Sequence, residues 1–341
     1  MSIPSGGRVW IAMQGLTRYR QVVCGTWAAR TCAGDAAATW AAVQAGRHRL
    51  RLLPPHGWTG LLDERPWRDD MLELLQPLAA ACLPAGMDLP ALCLGVSKGD
   101  LAALRDLLAG SPGALHRWPT GSITPRLAAR LGLSGFLGGS AVAACSTGLY
   151  ALLAAADHIE RDETTRALAC SGDAAVDPLL MPAYRRMGVL CGERLPSAFD
   201  GAGTGFAAAE GAAAIGLHAG DGPWRLLAGV RLGDAMHETR CEDPRVLRQC
   251  LDALWSALPE PDLIVAHATG TAVGDRFEQA ALQAGPWAAT RPVLCKPIIG
   301  HCLGASGLVE LAAALCSPAR RIWKLSLGFG GHIAAVAVER A

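Results

Sequence analysis

The chain reads as an α/β protein with a mostly parallel sheet. Short apolar runs alternate with longer Ala/Leu-rich stretches of helical period. Runs such as ALCLGV (91–96) and AAAIGL (212–217) are apolar almost without a break, the pattern of strands covered on both faces. Over 341 residues, 51% are hydrophobic and 18% charged, so a sizeable core is available and disorder is excluded.

In chain order the alternation predicts strands over Arg20–Trp27, Ala91–Val96, Ser140–Cys145, Arg166–Ser171, Ala212–His218 and Leu226–Leu232. It continues with Leu263–His267, Val293–Ile299, Lys324–Phe329 and Ile333–Val338. Helices are expected over Ala36–Ala45, Trp67–Cys82, Asp100–Leu108, Thr147–Ile159, Arg245–Ala257, Arg276–Ala284 and Ser306–Leu315. Turn-rich breaks fall at Leu52–Gly60, Gly110–Thr120 and Gly220–Pro223. The last divides the chain into two α/β halves, residues 1–220 and 221–341, with no internal repeat in the sequence and no low-complexity segment.

Lys and Arg number 31 against 30 acidic residues, a net charge of +1, so no basic face argues for a nucleic-acid partner. No uncharged apolar stretch reaches the about 18 residues of a membrane span, and MSIPSGGRVWIAMQGLTRYR lacks the core of a secretion signal. Twelve cysteines contain no CxxC pair, which speaks against a disulfide framework or a zinc site. They read as small buried hydrophobes in a reducing cytoplasm, and no metal is expected. Lysine is rare beside arginine: Lys98, Lys296 and Lys324 are the only ones, so each merits inspection.

Three residues stand where chemistry is possible. Cys145, in AVAACSTGLYALLAAADHI, lies where a strand runs straight into a helix. A thiol there meets the free N–H groups and partial positive charge of a helix N-terminus, and Ser146, Thr147 and Gly148 let a substrate approach the backbone. The alternative is a buried structural cysteine. His267, in AHATGTAVGDRFE, and His301, in KPIIGHCLGASG, both end apolar strands and open into small-residue loops, where α/β proteins place ligands. The other seven histidines sit in polar or irregular stretches. A cysteine with two such histidines is a set for nucleophilic thiol chemistry.

These motifs resemble those of the β-ketoacyl synthases, condensing enzymes of the thiolase-like fold. ACSTGL (Ala144–Leu149) is similar to the family's nucleophile motif. The pattern HGTGTxxGDxxE is matched by His267, Thr269, Gly270, Thr271, Gly274, Asp275 and Glu278. KSNIGHxxGAxG is matched by Lys296, Ile299, Gly300, His301, Gly304, Ala305 and Gly307, and SFGFGG appears as SLGFGG over Ser326–Gly331. The motifs keep the family's order from about residue 20 to the C-terminus.

The resemblance implies an αβαβα layered fold of two similar halves, packed as a homodimer or as a heterodimer with another ketosynthase-like subunit. It implies ping-pong chemistry with no cofactor of the protein's own, the substrates riding on the phosphopantetheine of an acyl carrier protein or on CoA. Cys145 takes the acyl group, while His267 and His301 assist loss of CO2 from a malonyl extender and stabilise the enolate. Backbone N–H groups of Cys145 and Phe329 are the implied oxyanion hole, with Phe329 also a gate. Lys296 and Glu278 are implied to orient the histidines, Asp275 to fix the loop carrying Glu278, and Thr269 and Thr271 to bind the pantetheine arm. Imidazole suits the enolate step, since it supplies donors titrating near neutral pH.

The chain departs from the family pattern at several places. Ala268 stands where the family has glycine, Pro297 and Ile298 replace Ser-Asn, and Leu327 replaces the first phenylalanine of SFGFGG. Gly203 and Thr204 stand for a charged pair, and the chain is short between its first helix and Cys145. Three readings follow: an elongating condensing enzyme of fatty-acid, polyketide or aryl-polyene synthesis; a non-elongating partner like a chain-length factor; or a thiolase-like acyltransferase or thioester hydrolase.

Overall fold

A computed structural model describes residues 15–64, 70–86, 89–239, 241 and 243–341. Its first strands are β1 (Leu16–Arg18), β2 (Val22–Thr31), β3 (Gly34–Asp35), β4 (Arg51–Leu53), β5 (Gly57–Gly60), β6 (Ala91–Gly95) and β7 (Ser140–Ala141). The others are β8 (Arg166–Ala174), β9 (Ala208–Ala219), β10 (Trp224–Gly233), β11 (Leu263–Val265), β12 (Pro292–Val293), β13 (Arg321–Gly328) and β14 (His332–Arg340). Helices are α1 (Ala36–Gln44), α2 (Met71–Cys82), α3 (Leu101–Leu108), α4 (Thr120–Arg130), α5 (Thr147–Glu160) and α6 (Leu180–Arg186). They continue with α7 (Pro244–Ala257), α8 (Ala272–Gln283), α9 (Lys296–Ile299) and α10 (Ser306–Ala314).

Aspartates start four of these helices. Asp35, Asp70, Asp100 and Asp243 each accept a backbone N–H of the first turn, at 2.8–3.1 Å, filling donors the helix cannot satisfy itself. The strands run in the order β12-β11-β13-β14-β10-β2-β9-β8-β6-β7. Outward from β10, the joins to β14, β13, β11 and β12 are antiparallel, antiparallel, parallel, parallel. Outward from β2, the joins to β9, β8, β6 and β7 repeat that pattern. Two arrays of one topology therefore meet at the β2–β10 seam.

Side-chain alternation along the strands builds the layers. On β9, Ala213, Ile215 and Leu217 share a core with Leu152 and Leu153 of α5 and Leu308 and Val309 of α10. The intervening Ala212 and Ala214 face a second core with Leu72 and Leu75 of α2 and Ile123 and Leu127 of α4. On β14, Ala334, Val336 and Val338 join the α5/α10 core, whereas Ile333, Ala335 and Ala337 face Leu247, Leu251 and Leu254 of α7. The order across the molecule is α2/α4, sheet, α5/α10, sheet, α7/α8, the five-layered fold the resemblance implies.

Several expectations need correction. The sheet is mixed rather than mostly parallel: apart from the short β5–β9 pairing, parallel joins involve the outer strands β6, β7, β11 and β12, while β2, β9, β8, β10, β14 and β13 pair antiparallel with one another. Apolar composition reports a strand's burial but not its direction, so β9 reads as a parallel strand merely because helices cover both its faces. The expected strand Ser140–Cys145 stops at Ala141 and becomes a 3-10 turn over Ala144–Ser146. The expected strand Val293–Ile299 breaks after Val293 and ends as α9, where Pro297 sits in the first turn and its missing N–H costs nothing. The break at Leu52–Gly60 is the hairpin β4–β5. Helix α4 goes unread because Gly121 and Pro125 interrupt its pattern, although Ile123 and Leu127 bury one face. The expected helix Trp67–Cys82 is seen from Met71, and 67–69 lie outside the described residues.

Candidate active site

Cys145 sits in the 3-10 turn ahead of α5, nine-tenths buried. Thr147 shapes that turn: its hydroxyl accepts the Ala143 N–H at 2.8 Å and donates to the Ala144 carbonyl at 2.7 Å. Ala144 is held at φ +47°, a left-handed conformation that costs a non-glycine residue on the order of 1–3 kcal/mol. The turn of β13 into β14 passes directly alongside. A Cβ on Gly328 would lie 2.6 Å from the Ala143 carbonyl and 3.2 Å from the Cys145 nitrogen, so only glycine permits the approach. The Phe329 N–H then lies near enough to the Cys145 sulphur to favour its thiolate.

His301 Nε2 lies 3.1 Å from Cys145 Sγ, and its Nδ1 lies 2.9 Å from Ser306 Oγ at the start of α10. A serine hydroxyl donates or accepts, so it satisfies either imidazole tautomer. The His267 ring stands 5.7 Å from that of His301, nearly perpendicular, and Phe206 closes the other side of His301 at 4.9 Å. Cysteine and both histidines thus converge on one cavity of about 370 Å³, which Thr269, Thr271 and Phe329 also line.

The backbone over Ala266–Ala268 is tied down by four hydrogen bonds with three side chains. Glu278 on α8 accepts the N–H groups of His267 and Ala268 at 2.6 and 2.7 Å. Lys296 donates to the His267 carbonyl at 2.5 Å and Lys324 to the Ala266 carbonyl at 3.2 Å. The two ammonium groups share one buried carboxylate, Glu310, at 2.8 and 2.6 Å. One turn earlier on α8, Asp275 accepts the N–H groups of Gly270 and Phe199, both at 2.9 Å. The His267 imidazole, by contrast, has a buried Nδ1 with no partner among the described residues.

These contacts refine two expectations. Lys296 and Glu278 hold the His267 main chain rather than either ring, and Asp275 fixes the loop that follows His267, since Glu278 lies on the same helix as Asp275 itself. Ala268, next to His267, sits at φ +45°, and Leu303, two residues past His301, at φ +44°. Ala268 therefore occupies a backbone shape that favours the family's glycine. Glu310, Ser306 and Lys324 went unassigned from the sequence. Lysine rarity flagged Lys324, whereas Glu310 shows only as the lone charge in the apolar run of α10.

Burial dominates the electrostatics. It pushes the Cys145 thiol up to about 11, against the pull of Lys296 and Lys98. Burial, then Lys296 and other neighbouring charges, holds His267 and His301 well below the ordinary imidazole value. At neutral pH the resting site is a neutral thiol facing two neutral imidazoles. Among the described residues no cluster of His, Cys, Asp or Glu is placed to hold a metal ion.

Cys145, His267 and His301 thus stand on one cavity of a five-layered, two-half fold. Residues 90–220 match the profile of the β-ketoacyl synthase N-terminal domain and residues 230–329 that of its C-terminal domain. The chain belongs to the β-ketoacyl synthase family. It is 29% identical over 192 residues to the actinorhodin polyketide putative β-ketoacyl synthase 1 of Streptomyces coelicolor, covering 50% of this chain and 41% of that one. It is 30% identical over 196 residues to the chloroplastic 3-oxoacyl-[acyl-carrier-protein] synthase I of Arabidopsis thaliana, with the same coverage. The chain thus spans less than half the length of these curated relatives. Among solved structures, a ketosynthase in complex with its chain length factor from Xenorhabdus doucetiae matches with a TM-score of 0.77 at 18% identity, covering 94% of this chain and 98% of that one. The ishigamide ketosynthase/chain length factor matches with a TM-score of 0.78 at 20% identity, covering 95% and 100%.

Proposed function

We propose that the protein is a β-ketoacyl-[acyl carrier protein] synthase, an acyltransferase that performs decarboxylative Claisen condensation for fatty-acid, polyketide or aryl-polyene synthesis. The 3.1 Å contact between His301 Nε2 and Cys145 Sγ carries this reading. A structural cysteine has no need of an imidazole held at that distance by Ser306. Cys145 sulphur attacks an acyl thioester as its proton passes to His301, and that proton leaves on the departing carrier thiol. The N–H groups of Cys145 and Phe329 hold the developing oxyanion. Malonyl on the carrier then loses CO2, and its enolate oxygen is met by N–H donors of His267 and His301. The enolate carbon bonds to the acyl carbon, the Cys145 thiolate leaves, and it regains a proton. Thr269 and Thr271, whose hydroxyls lie 3.0 Å apart on the cavity wall, suit the amides of a pantetheine arm.

No step calls for a cofactor of the protein's own. The proposed partners are an acyl carrier protein and a second ketosynthase-like subunit, identical or not, packed at the β7 end of the sheet, where Val142 is 53% exposed. No helix among the described residues is long and apolar enough to cross a membrane. Twelve free thiols suit a reducing compartment, and the cytoplasm is the proposed location.

Intact mass of the carrier tests the reading, after mixing protein, acyl thioester and malonyl-loaded carrier. A carrier bearing a 3-oxoacyl chain two carbons longer is expected, and Cys145→Ala abolishes both acyl loading and product. An acyl adduct that persists in Cys145→Ala refutes the assignment. Loading of Cys145 with the carrier left malonylated identifies a subunit that needs a partner to elongate.

A further inference from the structure

The cavity holds polar groups that this chemistry does not use. Lys98, on the loop between β6 and α3, lines it together with Cys145. It is the one lysine outside the Glu310 cluster. Tyr184 of α6 lines the same cavity and is only 7% exposed. Among the described residues neither the Lys98 ammonium nor the Tyr184 hydroxyl has a hydrogen-bond or ion-pair partner. Both lie near enough to Cys145 and Asp173 for their charges to interact. The neighbouring wall is apolar: Met187, Val189, Phe206 and Leu303.

Lys98 is half-buried and, among the described residues, has only Asp173 near it as a counter-charge, so its ammonium is free to meet an anion that enters the cavity. Lysine offers three donors and tyrosine one, together enough for both oxygens of a carboxylate. The nearby Asp173 accepts the Ser97 N–H at 3.2 Å, and burial pushes it up to about 7, so it opposes an incoming anion with less than a full charge. We propose that the acyl group loaded here ends in a carboxylate, bound by Lys98 and Tyr184, making the substrate an ω-carboxyacyl thioester. This deepens the reading above and rests on acylation of Cys145.

The test is the loading half-reaction without extender, followed by intact mass. Succinyl, glutaryl and adipoyl pantetheine thioesters are compared with butyryl, pentanoyl and hexanoyl ones. The native protein is expected to load at least one ω-carboxyacyl group faster than its apolar counterpart of equal length. Lys98→Met should cut that preference about tenfold to a hundredfold, the range of a charge-assisted hydrogen bond, and Tyr184→Phe by a few-fold. The comparison on the native protein stands whether or not a variant folds. Equal or faster loading of every apolar partner overturns the proposal, as does an equal loss for both series in Lys98→Met. An effect of Lys98→Met confined to the extender's KM also overturns it, because the bound carboxylate is then malonyl's. No adduct from either series sinks the acylation reading along with it, an outcome distinct from acylation without selectivity.

Discussion

At Cys145 two influences of opposite sign meet, and their balance sets how the thiol reacts. The helix terminus, the Phe329 N–H and nearby lysines favour thiolate, while burial opposes it and prevails, leaving the thiol near 11. The same burial holds His301 neutral, so the pair rests without charge separation, and on the proposed reading the proton moves only as sulphur attacks. Alkylation of the free enzyme reports this directly. Labelling of Cys145 by iodoacetamide, followed by peptide mass, should rise about tenfold per pH unit from about pH 6 to about pH 8.5, because only the thiolate reacts and its fraction is still climbing. A plateau beginning near pH 6 would reveal a preformed thiolate–imidazolium pair and overturn the account.

Around the reacting atoms, β13, α8, α9 and α10 act as a frame for His267. Lys324 of β13 and Lys296 of α9 grip consecutive carbonyls, Glu310 of α10 joins the two lysines, and Glu278 of α8 holds the amides opposite. Removing one member of a buried ion cluster strands the others. Glu310→Gln should therefore cost about 3–5 kcal/mol in urea unfolding, and a loss under about 1 kcal/mol would show that the lysines find other partners. The sequence disclosed this frame unevenly. Cys145, His267 and His301 were legible because small-residue, glycine-bearing turns flank each of them, although only His267 stands just past a strand, and the strands themselves because uninterrupted apolar runs are short and distinctive. Glu310 was not, since a lone acid within an apolar helix becomes meaningful only beside lysines far along the chain. Strand direction in β9 and β14 was hidden too, because helices on both faces erase the polar alternation that marks antiparallel pairing.

Across the whole molecule, the layered core has an alkaline weakness that follows from its cysteines. Cys24, Cys170, Cys250 and Cys302 are fully buried and fill core positions as small apolar side chains. Burial raises eleven of the twelve thiols from the ordinary value of 9.0, most of them to about 11 or 12. Below that ordinary value the folded and unfolded chains both carry neutral thiols, and stability does not depend on them. Above it the unfolded chain loses protons that the folded chain keeps, so stability falls as pH rises from 9 towards the folded values. Each fully shifted thiol contributes a slope approaching about 1.4 kcal/mol per pH unit, and several together exhaust a typical stability of about 5–15 kcal/mol within one or two units. The midpoint of urea unfolding should accordingly stay level between about pH 7.5 and 8.5, then drop steeply, with cooperative unfolding by about pH 10 to 11 even without denaturant. Replacing Cys24 and Cys250 together by alanine should make that decline shallower, whatever it does to stability at neutral pH. A midpoint unchanged between about pH 8 and pH 10 would mean that the unfolded chain gains nothing by ionising its thiols, and the layered core would owe no pH limit to its cysteines.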